Sequence, residues 1–135
     1  QPQLIRRIYG ASKIYDTRSG IDPLFPESLL KDEELLSLVK AGKEFGTTTG
    51  RMRKTNWLNL DKLVSAVRIS GTTKIIISKV DVIKEINIYK LYHNSELLVF
   101  GNFEEMKNYI NKVLKNCTNY LDEIIYSDEA ELSIL

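Results

Sequence analysis

The chain has 135 residues, 43% of them apolar and 27% charged, which is the composition of a folded domain and excludes a disordered tail or a fibre. Lys and Arg total 19 against 18 Asp and Glu, so the net charge of +1 excludes a generic polycation wrapped on nucleic acid. One cysteine and one histidine exclude a disulfide framework and a Cys- or His-rich metal centre, and no apolar run approaches the ~20 residues that span a membrane.

The length suits a single unit with its own core, residues 1–135. LIRRIY, residues 4–9, predicts a short strand, and GASKIYDTRSG follows it. Pro23 and Pro26 make 21–27 a rigid loop. Leu29, Leu30, Leu35, Leu36 and Val39 predict a helix over 28–41, with acids near its start and Gly42 as its stop. Residues 45–57, FGTTTGRMRKTNW, lack periodicity and read as a loop. The next helix carries Leu60, Leu63, Val64 and Val67 on one face, with Asn59 to cap it and Gly71 to end it. KIIIS at 74–78 reads as a buried strand of an α/β layer. Strands follow at 86–92 and 96–100, joined by a hairpin turn at His93-Asn94-Ser95. Asn102 and Glu105 form a capping-box-like start for a helix reaching residue 117. A short strand is expected at 123–126, before an acidic turn and a last apolar patch. The alternation predicts an α/β fold.

The loop at 46–54, GTTTGRMRK, has the most distinctive chemistry. Gly46 and Gly50 permit tight turns close to a ligand. Thr47, Thr48 and Thr49 offer hydroxyls as donors and acceptors, and Arg51 and Arg53 offer forks for carboxylate or phosphate, with Lys54 beside them. A polar surface loop with ordinary salt bridges is the competing reading. The loop lacks Walker spacing. Lys79 and Asp81 follow the KIIIS strand, where open α/β sheets place ligand groups. An Asp there can accept two N–H bonds from a guanine edge, and a lysine stem can lie on a base; a strand-end salt bridge is the alternative. Lys13, Thr17 and Arg18 suit a phosphate or are simply surface polar groups, with Ser12 beside them. His93 is expected at the surface, Cys117 as a small buried apolar group, and Trp57 as an anchor for the helix after the basic loop.

Taken in order, FGTTTGRMRKTNWLNLDKL and AVRISGTTKIIISKVDV closely resemble the C-terminal part of the adenylosuccinate synthetase family. GASKIYDTRSG with DPLFPE resembles the segment before it, so the likeness runs from about residue 9 to 92. The resemblance implies the C-terminal segment of a mostly parallel-sheet nucleotide-binding enzyme. It implies a cytoplasmic, homodimeric ligase of purine biosynthesis, using Mg2+ with GTP (ATP being the alternative) to join L-aspartate to IMP. By the same likeness Thr47, Thr48, Thr49 and Arg53 match the loop that receives aspartate, and Arg51 matches the arginine near the nucleotide ribose. Thr17 matches part of the IMP site, and Lys79 and Asp81 match the pair at the donor base. The family's glycine-rich phosphate loop and its catalytic acid and base have no match here. The chain also opens on Gln1 rather than Met. It is therefore expected to lack an N-terminal catalytic portion and to be inactive alone.

There are departures from the family pattern. Asp128 and Glu129 follow Ser127 where the family has Gly-Pro, and Asp16 stands where it more often has Thr. Only 54 residues follow Asp81, as in compact archaeal and phage relatives. A phage-type enzyme adding aspartate to dGMP, in a host cytoplasm, is one alternative, and a non-catalytic nucleotide-binding module is another.

Overall fold

The structure, a computed structural model, describes residues 7–18, 25–46 and 50–128. Strands β1 (Tyr9–Lys13), β4 (Lys74–Ser78) and β7 (Glu123–Tyr126) form a parallel sheet in the order β1-β4-β7. Ile75, Ile76 and Ile77 of the central strand are all buried, as expected when both faces of a strand are covered. A second, mixed sheet has the order β2-β3-β5-β6, with β2 at Tyr15–Arg18, β3 at Lys54–Asn59, β5 at Tyr89–His93 and β6 at Glu96–Phe100. Its outer pairs are antiparallel and its central β3–β5 pair is parallel. Among the described residues four α-helices complete the α/β fold: α1 (Glu33–Gly42), α2 (Leu60–Ser70), α3 (Val80–Ile86) and α4 (Phe103–Cys117). One buried cluster reaches both sheets and the helices, from Ile14, Leu38 and Leu58 to Ile77, Ile83 and Ile110.

The expected β4, β6, β7, α2 and α4 are present. The Asn59 side chain accepts from Lys62 N at 3.1 Å, and Gly71 closes α2 at φ 68°. Asn102 accepts from Glu105 N, and Glu105 returns a bond to Gly101 N, both at 2.9 Å. Asn94 and Ser95 take positive φ in the two-residue hairpin turn between β5 and β6.

Several boundaries differ from expectation. The first strand is Tyr9–Lys13, not 4–9; Arg7 and Ile8 precede it and 4–6 lie outside the described residues. The helix expected at 28–41 is divided. A 3-10 turn at Glu27–Lys31 ends at Asp32, whose extended backbone and side-chain bond to Leu35 N (3.0 Å) start α1. Gly42 is the last residue of α1, while Lys43 takes the left-handed φ of 52°. Gly42 is needed for closeness instead: a Cβ there would lie 2.5 Å from the Tyr15 hydroxyl. Residues 54–59 are strand rather than loop and helix start, because Thr55, Trp57 and Leu58 are drawn into the core. The strand expected at 86–92 begins at Tyr89, after the unpredicted α3. In the proline loop, 21–24 lie outside the described residues, and Phe25 is buried.

Candidate functional site

Parallel pairing brings the C-terminal ends of β1, β4 and β7 to one edge. Ile14 N donates to Ser78 O at 3.0 Å, Ser127 N to Ile77 O at 2.8 Å, and Val80 N to Ser127 O at 3.1 Å. Lys13 ends β1 at that edge, and Lys79 and Asp128 lie just past it. Lys79 adopts φ 68°, a left-handed conformation that costs a non-glycine residue roughly 1 kcal/mol or more. This turn redirects the chain from β4 into α3. A cleft of about 330 Å³ opens here, lined by Gly42, Lys43, Lys79, Asp81, Val82 and Asp128.

Behind the cleft lies a buried carboxylate that the sequence reading did not single out. Glu44 is 2% exposed and follows α1 by two residues. The Tyr15 hydroxyl donates to Glu44 Oε2, and Arg53 Nη1 donates to Oε1 at 3.1 Å. Lys13 Nζ lies 3.7 Å from Oε1 and Lys79 Nζ 3.8 Å from Oε2. Lys79 Nζ also donates to Gly42 O at 3.5 Å, and Lys13 Nζ to Thr17 Oγ1 at 3.0 Å. One carboxylate thus meets three cations, and the cluster keeps a positive balance suited to anions.

Burial raises the Glu44 pKa. The Tyr15 hydroxyl, Lys13, Lys79 and Arg53 together outweigh it and hold the carboxyl below its ordinary range. Burial first, and then Glu44 itself, push the Tyr15 phenol above its ordinary value. Burial likewise raises Asp16, against the opposing bond it accepts from Asn59 N at 3.2 Å.

The basic loop hangs from this cluster. Arg53 N donates to Glu44 O at 2.9 Å, and Phe45 and Met52 form an isolated antiparallel bridge. Gly46 N donates to Arg51 O at 2.7 Å, and Gly50 N to Gly46 O at 2.9 Å. Gly50 is at φ 69°, the backbone freedom this closure requires. Thr47, Thr48 and Thr49, expected to receive a dicarboxylate, lie outside the described residues.

Of the other expected site residues, Thr17, Arg53 and Lys79 come together at the Glu44 cluster. Asp81 lines the adjoining cleft with Lys79, and Arg51 is exposed in the loop. His93 is half-buried rather than at the surface, with Nδ1 2.5 Å from the Tyr109 hydroxyl and Nε2 3.7 Å from Asp61. Cys117 is half-buried too, and its thiol donates to Leu114 O at 3.0 Å. Sequence patterns could not have found Glu44, because a buried acid at a helix end has no periodic signature. Among the described residues no group of three or more His, Cys, Asp or Glu side chains is placed to hold a metal ion.

The profile of the family described as adenylosuccinate synthetase matches residues 1–129. The chain belongs to the adenylosuccinate synthetase family. The adenylosuccinate synthetase of Buchnera aphidicola is 39% identical over 107 residues, covering 75% of this chain and 24% of that protein. That of the diatom Phaeodactylum tricornutum is 44% identical over 105 residues, covering 72% of this chain and 19% of its own length. The chain therefore spans about a quarter or less of these relatives. The fold agrees with the solved structure of fully ligated adenylosuccinate synthetase from Plasmodium falciparum, at a TM-score of 0.58 and 24% identity, over 90% of this chain and 37% of that one.

Proposed function

We infer that residues 1–135 are the C-terminal portion of a ligase that joins L-aspartate to the 6-position of IMP, giving adenylosuccinate, with a nucleoside triphosphate as phosphate donor. The observation that carries this reading is the arrangement at Glu44, where Arg53 donates to the carboxylate, Lys79 lies 3.8 Å from it, and Lys13, 3.7 Å from it, donates in turn to Thr17, so that motifs assigned to three substrates are joined at one carboxylate. The donor phosphorylates the base 6-oxygen, and the aspartate amine then displaces that phosphate. Thr47, Thr48, Thr49 and Arg53 receive the aspartate carboxylates, with Glu44 holding Arg53 from behind. Arg51 meets the acceptor ribose and Thr17 contributes to the acceptor's phosphate contacts. Asp81 accepts N–H bonds from the donor base, and Lys79 lies along that base. Each role matches group chemistry: forks and hydroxyls for carboxylates, a carboxylate for a purine edge.

Positive groups also stabilise the charge that accumulates on both reacting partners. Mg2+ belongs with the donor in this reading, and among the described residues no group of three or more His, Cys, Asp or Glu side chains is placed to hold it. The family's acid and base lie in an N-terminal portion beyond this chain. A homodimer and a cytoplasmic location belong to the same reading. No helix among the described residues is long and apolar enough to cross a membrane.

One observation favours a variant donor specificity. Asp128 lines the cleft beside Asp81, where the family pattern has Gly-Pro. A second carboxylate can accept one N–H from the exocyclic amine of adenine, where guanine offers Asp81 two, so ATP is the second reading. The experiment is a turnover assay of the full-length protein with aspartate, crossing IMP and dGMP with GTP and ATP. Aspartate-dependent phosphate release with IMP is the expected result. Release with dGMP alone would move the assignment to the phage-type reaction. Binding of nucleotides without turnover in any combination would leave only a binding module.

A further inference from the structure

We propose that Glu44 is a positioning residue that couples the aspartate, acceptor and donor-base subsites, by fixing one cationic group from each side of the site on a single buried carboxylate. The inference rests on the ligase reading above. Glu44 is not a catalytic residue in this scheme, since it is 2% exposed and acts through its neighbours.

The geometry divides its two oxygens between different substrates. Oε1 takes Arg53 Nη1 at 3.1 Å and faces Lys13 Nζ at 3.7 Å, and Lys13 reaches on to Thr17 Oγ1 at 3.0 Å. Oε2 takes the Tyr15 hydroxyl and faces Lys79 Nζ at 3.8 Å. Arg53 stands for aspartate, Thr17 for the acceptor nucleotide and Lys79 for the donor base. The cations are not equally withdrawn: the side chains of Lys13, Arg53 and Lys79 are 32%, 36% and 22% exposed. Each therefore keeps surface for a ligand while its other side is held by Glu44. A ligand anion that draws on one cation changes the field the other two share. The backbone closes the same circuit, since Glu44 O accepts from Arg53 N and Gly42 O from Lys79 Nζ. A loose arginine or lysine would have to be ordered again by each ligand, and anchoring removes that cost beforehand.

The test compares the full-length enzyme with Glu44→Gln, which keeps the shape and removes the charge. The expected result is a roughly tenfold rise in KM for aspartate and for the donor together, with kcat changed less than about threefold. In a Lys79→Met background the same substitution should leave the donor KM unchanged further but still raise that for aspartate. Glu44→Asp should restore part of both KM values. Unchanged KM values in E44Q, or a fall in kcat alone matching a smaller folded fraction by circular dichroism, would overturn the proposal. Should E44Q not fold, Tyr15→Phe removes one bond to Oε2 at nearly constant volume. Y15F should raise both KM values by a smaller factor, and a Y15F enzyme with wild-type KM values would equally overturn it. Failure of the ligase reading itself would appear separately, as no turnover by the wild-type protein.

Discussion

Asp16 and Glu44 are carboxylates withdrawn from water, and their surroundings push them in opposite directions. For Glu44 the folded-state pKa lies below the unfolded value. Its contribution to stability is therefore complete above the ordinary carboxylate range and is lost as pH falls through the folded value. Tyr15 has a raised pKa, so its contribution is complete below about pH 10 and is lost as pH rises beyond that. A plot of melting temperature against pH should fall at both ends, and E44Q should flatten the acid limb. Asp16 is raised mainly by burial, so ionising it at neutral pH costs stability. Asp16→Asn keeps an acceptor for Asn59 N and should melt higher at pH 7, with the gain gone below about pH 4. A lower melting temperature at pH 7 would mean that the charge is stabilising there. Gly42 adds a steric prediction at the same cluster. Gly42→Ala should cost about 1–3 kcal/mol in urea unfolding, since its Cβ would enter the Tyr15 hydroxyl. The cost should shrink when combined with Y15F, because the clashing oxygen is then absent.

At the scale of elements, caps and long apolar stripes were legible, and short pieces were not. Asn59 and Asn102 were identifiable because the helices after them are 11 and 15 residues long and repeat Leu, Met, Ile and Val on one face. Asn59→Ala and Asn102→Ala should each cost about 1 kcal/mol, read by chemical denaturation. An unchanged midpoint for either would show that the cap bond adds nothing there. Helix α3 escaped because it has seven residues, starts at a left-handed lysine with no side-chain cap, and is rich in β-branched Val80, Val82, Ile83 and Ile86. Packing against α1 holds it as a helix, and that partner is more than 35 residues earlier. Strand β3 was obscured by the basic residues before it, although Thr55 and Trp57 alternate as a half-buried strand should. The site was legible as motifs but not as a cluster. Arg53, Lys79 and Thr17 each carry recognisable chemistry, while Glu44, which meets the first two directly and Thr17 through Lys13, is one acid among 18.

At the scale of the whole molecule, two sheets meet where the chain crosses between them in a single residue. Ile14 separates β1 of the parallel sheet from β2 of the mixed sheet and is 1% exposed. Its N–H still bonds Ser78 of β4, while Tyr15 beside it pairs with Trp57 of β3. The Glu44 cluster straddles the same junction, since Lys13 and Lys79 come from the parallel sheet and Tyr15 and Arg53 from the mixed-sheet side. One buried core is continuous through this joint, so the sheets should open together rather than in turn. Ile14→Ala removes packing common to both and should cost about 2–5 kcal/mol. Hydrogen exchange on the full-length protein can read this directly. Amide protection at 54–59 and at 74–78 should fall by the same factor in I14A, because both strands belong to the buried cluster that Ile14 joins. Loss at 54–59 with full protection at 74–78 would show two independently opening sheets, and the subsites they carry would then be joined by the Glu44 contacts alone.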